Sequence, residues 1–269
     1  MDLINGSSLE ELDKRILESN LSDAEKKISL KNQLKAYPNG IEPIGSDAMR
    51  LALLLQDFKG DNINLDMNFF LDSKRYCNKI WQSVRYYQSC VPEEIKPKYK
   101  LLTINQVNKE ILKLNHISNF RFFFKIIQSK KLRLIDEWIL IKLYQTVKYV
   151  NFNFKDFDLH LNVKKMREFY YANFCDFYLE TTKPIFKRNL DQSKDNFELE
   201  EIVWNILRNC NYYSLLMYHP IIPSLTEELW KRNSGFGAAN FKPDSSILDT
   251  PFPNTNEMTE LDVTLINMF

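Results

Sequence analysis

The sequence predicts an all-α protein, a helical bundle preceded by a short helical lead-in. Three observations support this. Apolar residues recur at spacings of three and four through most of the chain. The segments near 68–88, 135–154, 163–186 and 197–232 each sustain that spacing for more than about 15 residues, enough to build a bundle of antiparallel neighbours. Only 6 of the 269 residues are glycine, which leaves little material for tight hairpins.

The lead-in occupies residues 1–44. "SSLEELDKRILES" (7–19) sets Leu9, Leu12 and Ile16 on one face behind serines able to cap, with Glu11 in the first turn. "SDAEKKISLKNQL" (22–34) repeats the device with Ser22 as N-cap and Glu25 three residues on, before Pro38 and Gly40 stop the chain. Ser46 then reads as the N-cap of a further helix, with Asp47 in the first turn where the helix dipole favours a carboxylate. Leu51, Leu53, Leu54, Leu55 and Phe58 make it apolar on most sides, as expected of a central helix with several neighbours. "KGDNINLD" (59–66) is a polar connector.

From Asn68 to Gln88, the residues Cys77, Ile80, Trp81, Val84 and Tyr87 form a core stripe, and Arg75, Asn78, Lys79, Gln82, Arg85 and Tyr86 form the opposite one. "VPEEIKPKYK" (91–100) is a loop. Residues 101–134 hold one or two less regular helices, so the region near 91–134 reads as an insert. In the last long segment, Pro220 and Pro223 should divide one helix into two. The bundle thus spans 45–232, and 233–269 is an irregular tail with a short final helix.

Lys plus Arg number 36 against 35 Asp plus Glu, a net charge of +1, so any basic surface must be local. Cys77, Cys90, Cys175 and Cys210 lie far apart, with no CxxC pair and no clustered histidine, which argues against a zinc site or a disulfide framework and for buried free thiols in a reducing compartment. The N-terminus is acidic and amphipathic, unlike a signal or transit peptide. No run of roughly 18 apolar residues occurs, so no membrane span and a cytoplasmic protein are expected.

No catalytic constellation emerges. His116, His160 and His219 are scattered, and His219 beside Pro220 reads as a helix-end residue. Glu227 and Glu228 after Thr226 read as capping residues at a helix start. "FRFFFKII" (120–127) is core-type if helical. Binding is better supported. Single-stranded RNA is recognised by aromatic or guanidinium planes on splayed bases, with amides and cations reaching base edges and phosphates. The polar stripe of the 68–88 helix offers those residue types, and Lys74, Arg75, Lys79 and Arg85 against Asp72 leave it locally basic. A solvated helix face with ordinary ion pairs is the competing interpretation.

"YPNGIEPIGSDAMRLALLLQDFKGDNINLDMNFFLDSKRYCNKIWQSVRYY" (37–87) closely resembles the segment of valyl-tRNA synthetases that follows their KMSKS loop, with "GSDAMRLAL", "NINLD" and "CNKIW" as matching blocks. The similarity continues through "DEWILIKL" (136–143), "FCDFYLETTKPIF" (174–186) and "HPIIPSLTEELW" (219–230), and it covers nearly the whole chain apart from 91–134 and the tail. The resemblance implies a bundle of the class I synthetase anticodon-binding type, with tRNA(Val) as partner. In that family the corresponding helix and its preceding turn line the anticodon stem-loop site. Asn68 and Tyr86 then fall where a polar base-edge contact and an aromatic stacking contact are expected. Asn68 follows the eukaryotic "LDxN" pattern, whereas bacterial members tend to have Arg there. Arg50 in "DAMR" also matches, as an anchor beneath the catalytic domain.

A Rossmann-type catalytic domain with a HIGH-like motif, an editing domain and a KMSKS loop are not found within these residues. ATP and Mg would belong to that catalytic part, and no cofactor is expected in this chain. The chain alone is expected neither to activate valine nor to edit, which valine-dependent pyrophosphate exchange would refute. Two readings follow. One is a portion of a valine–tRNA ligase, with a separate catalytic half or a larger complex as partner. The other is a paralogue serving as a non-catalytic adaptor or structural subunit.

Overall fold

The computed structural model describes residues 2–57, 59, 66–91, 100–101, 106, 133–154, 157–187, 197–237, 242 and 244–253. Among them the regular structure is helical, with one isolated antiparallel bridge between Ser7 and Ile41. The chain divides into two compact units, residues 1–78 and 79–269. Most of the expected insert near 91–134, including 120–127, lies outside the described residues, as do Phe58 and the tail beyond Pro253.

The first unit holds α1 (Asp2–Asn5), α2 (Leu9–Leu17), α3 (Asp23–Ala36), α4 (Ser46–Leu54) and the first part of α5 (Met67–Ser89). Both expected capping boxes form. The Ser8 hydroxyl accepts from the Glu11 N–H while the Glu11 carboxylate accepts from the Ser8 N–H, and Ser22 and Glu25 do the same. The Ser22 hydroxyl and N–H hold the Glu25 carboxyl below its usual range. Neither helix buries a residue, and Gln33 Nε2 links α3 to Asp13 Oδ1 of α2 at 2.7 Å.

Gly40 sits where the Ser7–Ile41 bridge forms. A Cβ there would lie 2.4 Å from the Ser7 carbonyl oxygen, and its φ of +79° is one that side chains disfavour. The next helix begins differently from expectation. Ser46 is its first residue, not its cap, because Gly45, with φ 87°, takes the N-cap position. Asp47 does lie in the first turn. Nor is α4 packed on most sides: Ala48, Leu51 and Ala52 are buried, while Leu53, Leu54 and Leu55 are only half-buried. Ala48 and Ala52 pack with Ile44 and Phe70, flanked by Leu3, Met49, Met67 and Cys77.

The second unit holds the rest of α5, then α6 (Leu134–Asn153), α7 (Leu159–Arg167), a π-helical stretch (Glu168–Tyr178), α8 (Leu179–Lys187), α9 (Phe197–Tyr218) and α10 (Pro223–Arg232). Short 3-10 turns follow at Ser234–Gly237 and Ile247–Asp249. The α7 and π stretches pack on α6, and α9 packs on α6, α7, α8 and α10.

The central helix is α9. From Val203 to Tyr218 every residue except Tyr212 is buried. Its asparagines hide this in the sequence, yet their amides are satisfied locally: those of Asn205, Asn209 and Asn211 donate to the carbonyls of Glu201, Asn205 and Leu207, one turn back, at 2.8–3.0 Å. Buried Arg208 donates to the Phe236 carbonyl.

The proline break falls as expected, with α9 ending at Tyr218 and Pro223 opening α10. Because α10 starts at Pro223, Thr226 lies inside it and the capping role assigned to Glu227 and Glu228 is corrected. Thr226 is buried and bonds the Ile222 carbonyl, with His219 Nδ1 2.8 Å from its hydroxyl. Glu227 accepts from the Ser246 hydroxyl at 2.8 Å and the Ile247 N–H at 3.1 Å, while Glu228 pairs with Arg232.

The segment expected as one helix over 163–186 has a π-helical middle. Its wider turn brings residues five apart together, so that the rings of Phe169 and Phe174 stack at 6.4 Å. All four cysteines are free, and all but Cys77 are buried. Burial pushes the thiols of Cys90 and Cys175 up to about 12, which keeps them protonated and inert. No helix among the described residues is long and apolar enough to cross a membrane.

Candidate nucleic-acid interface

In the second unit, α5 is seated through Ile80, Ser83, Val84 and Tyr87, all buried. A buried polar chain fixes it: Ser83 Oγ bonds the Tyr170 hydroxyl, which donates to Asn211 Oδ1 at 2.8 Å, joining α5 to the π stretch and α9. Gln82 and Arg85 point the other way. Both are exposed, and neither makes a hydrogen bond or ion pair among the described residues.

One flank of this stripe is formed by Lys79 and Tyr86. The Lys79 ammonium donates to Asp176 at 2.5 Å and lies 3.9 Å from the centroid of the Tyr171 ring. Burial lowers its pKa, but the Asp176 carboxylate outweighs that and the net shift is upward, so Lys79 stays charged. The Tyr86 hydroxyl is 2.9 Å from that of Thr182, and since Thr182 already donates to the Leu179 carbonyl, Tyr86 is the donor. Burial raises the Tyr86 pKa, keeping the half-buried ring neutral. The block "CNKIW" therefore meets "FCDFYLETTKPIF" in space through Lys79 and Asp176, and two helical turns on Tyr86 meets Thr182 of that second block.

Arg133 braces the support of this flank. It donates to the Thr181 carbonyl at 2.8 Å and through Nε and Nη2 to Asp136, which also accepts from the Tyr178 hydroxyl. The opposite flank carries Trp81 beneath the Arg232 guanidinium at 5.0 Å, with Gln88 donating to the Arg232 carbonyl.

The structure thus brings Lys79, Gln82, Arg85 and Tyr86 together. Asn68, Arg75 and Asn78 lie on the part of α5 that belongs to the first unit. There the Asn68 amide donates to Asp66 at 2.9 Å, and Arg75 pairs with Asp72 at 2.9 Å. Asn78 is exposed and makes no hydrogen bond among the described residues. Lys74 donates to the Pro43 carbonyl and faces Glu42 at 3.5 Å. Arg50 is exposed on α4. The ion-pair interpretation of the basic stripe therefore holds for Lys74, Arg75 and Lys79, while Arg85 is exposed and makes no ion pair among the described residues. Sequence reasoning missed Asp176 and Thr182, whose only signal was membership of the block "FCDFYLETTKPIF", and Tyr171 and Arg232, which lie just outside the matching blocks and carried no signal. Among the described residues, no group of three or more His, Cys, Asp or Glu side chains could hold a metal ion.

Residues 136–268 match the model of the anticodon-binding domain of tRNA ligase. Over 252 residues, 93% of this chain, it is 33% identical to the valine–tRNA ligase of Wigglesworthia glossinidia brevipalpis. It is 30% identical over 239 residues, 86% of this chain, to the probable mitochondrial valine–tRNA ligase of Dictyostelium discoideum. It is 29% identical over 259 residues, 96% of this chain, to the valine–tRNA ligase of Caenorhabditis elegans. The chain spans only 24%, 21% and 22% of those relatives, respectively. With a helical bundle, matching blocks that meet in space and a match running nearly end to end, the chain belongs to the valyl-tRNA synthetase family and corresponds to its anticodon-binding part.

Proposed function

We propose that the chain binds tRNA(Val) at its anticodon region, as the anticodon-binding portion of a valine–tRNA ligase. Valine activation and transfer fall to a catalytic part supplied elsewhere in the same protein or complex. The observation that carries this is the stripe of Gln82 and Arg85, exposed and uncommitted on a helix locked from below, with the Tyr86 ring at its edge. In the complex, Arg85 meets backbone phosphate, Gln82 reaches a base edge and the Tyr86 ring stacks on an unpaired base. Asn68 and Asn78 are proposed as further polar contacts, and Arg75 as a phosphate contact once released from Asp72. No step of this binding involves ATP or Mg. A cytoplasmic location is part of the proposal.

Variants separate the roles. Arg85→Ala should weaken binding to every RNA alike and flatten the salt dependence of log K by about 0.7–0.9, the loss of one phosphate contact. Tyr86→Ala should cost about 1–3 kcal/mol of binding, while Tyr86→Phe, which keeps the ring and loses only the bond to Thr182, should bind nearly as wild type. Titration of an anticodon stem-loop RNA into each purified variant checks this. Equal affinity for wild type, Arg85→Ala and Tyr86→Ala would rule out this face as the RNA site.

A further inference from the structure

Lys79 lies one turn before Gln82 and two turns before Tyr86 on the same side of α5, so whatever the Lys79–Asp176 pair presents to solvent faces the same ligand. Its construction is unusual. Tyr171 and Asp176 are five residues apart, and the π-helical turn brings the ring of one and the carboxylate of the other onto a single ammonium. The ring attracts the Lys79 ammonium independently of Asp176, since a cation over an aromatic face is attracted without any carboxylate. The carboxylate adds neutralisation. It also sets a negative charge, 48% exposed at its side chain, beside the stripe that a phosphate backbone must approach.

We propose that Asp176 is an electrostatic restraint on RNA binding: it occupies the Lys79 ammonium in the free protein, so that an RNA phosphate must displace it before Lys79 contributes. This rests on the proposal that the α5 face binds RNA, and it adds a residue that limits the anticodon-independent part of that binding. Displacement is feasible because both partners are substantially exposed, and such pairs hold weakly. The restraint acts on backbone attraction alone, which leaves a larger share of the affinity to base contacts.

The test compares wild type, Asp176→Asn and the double variant Lys79→Gln/Asp176→Asn, each in the full chain. Two anticodon stem-loop RNAs serve as probes, one with a valine anticodon and one with it swapped, across a salt series, with thermal unfolding of each variant as a fold control. Asp176→Asn should bind both RNAs about fivefold more tightly, by the same factor, and steepen the slope of log K against log salt by about 0.7–0.9. The double variant should lose both gains. An unchanged affinity and slope in a folded Asp176→Asn protein would overturn the inference, as would a gain that persists without Lys79. If wild type binds neither RNA but Asp176→Asn binds both equally, the restraint stands and anticodon reading fails. If neither protein binds, both fail.

Discussion

Replacing Asp136 by alanine is expected to cost about 3–5 kcal/mol of stability, the range for breaking a buried charge pair by removing one partner. Asp136 is fully buried at the start of α6. Its carboxylate accepts from the Arg133 N–H and Nε at 3.1 Å each, from Arg133 Nη2 at 2.7 Å and from the Tyr178 hydroxyl at 2.8 Å. Alanine would leave the buried Tyr178 hydroxyl without its acceptor and the largely buried Arg133 guanidinium without its counter-charge. Asparagine should do less harm, because one oxygen can still accept from Tyr178. The same cluster holds the Thr181 carbonyl through Arg133, next to the residue that receives Tyr86, so its loss would also loosen the candidate interface. Urea unfolding of the variants checks this. A loss for Asp136→Ala within about 1 kcal/mol, the range of exposed pairs, would mean that the cluster does not hold the bundle together.

Trp230→Ala should be comparably damaging, at about 3–5 kcal/mol, the usual cost of emptying a core site of an aromatic ring. Trp230 is 1% exposed and packs against Tyr212 of α9 at 5.4 Å and Phe236 at 6.2 Å between ring centroids. Its neighbours are themselves fixed: Arg208 holds the Phe236 carbonyl, so the site cannot readily collapse around the void. Trp230→Phe should recover much of the loss. Urea unfolding again measures it, and a Trp230→Ala protein as stable as wild type would show that α10 is not seated on α9 as described. The tryptophan of "TEELW" is thus a packing residue.

Much of the framework was legible because it depends on local chemistry. Ser8 with Glu11, and Ser22 with Glu25, are self-contained capping boxes, and Pro223 dictates where α10 starts whatever surrounds it. The polar stripe of α5 could likewise be read from helical spacing. What escaped depends on tertiary context. The enclosed position of α9 is masked by Asn205, Asn209 and Asn211, which look like surface residues until their amides are seen bonding carbonyls one turn back. The π-helical stretch leaves no trace in a pattern read at spacings of three and four. Lys79 looked like a free cation because its partner Asp176 lies 97 residues away. Arg85, by contrast, is exposed, as its place on the polar stripe predicts.

The central claim is that the α5 face reads an anticodon. Its most direct test is binding of the purified chain to tRNA(Val) and to the same tRNA with a swapped anticodon, at two salt concentrations. Sequence-independent attraction should weaken steeply with salt while base reading survives as a difference between the two RNAs. A preference for the valine anticodon that persists at both concentrations is the predicted result. Equal binding of the two RNAs at both concentrations, or none, would contradict it.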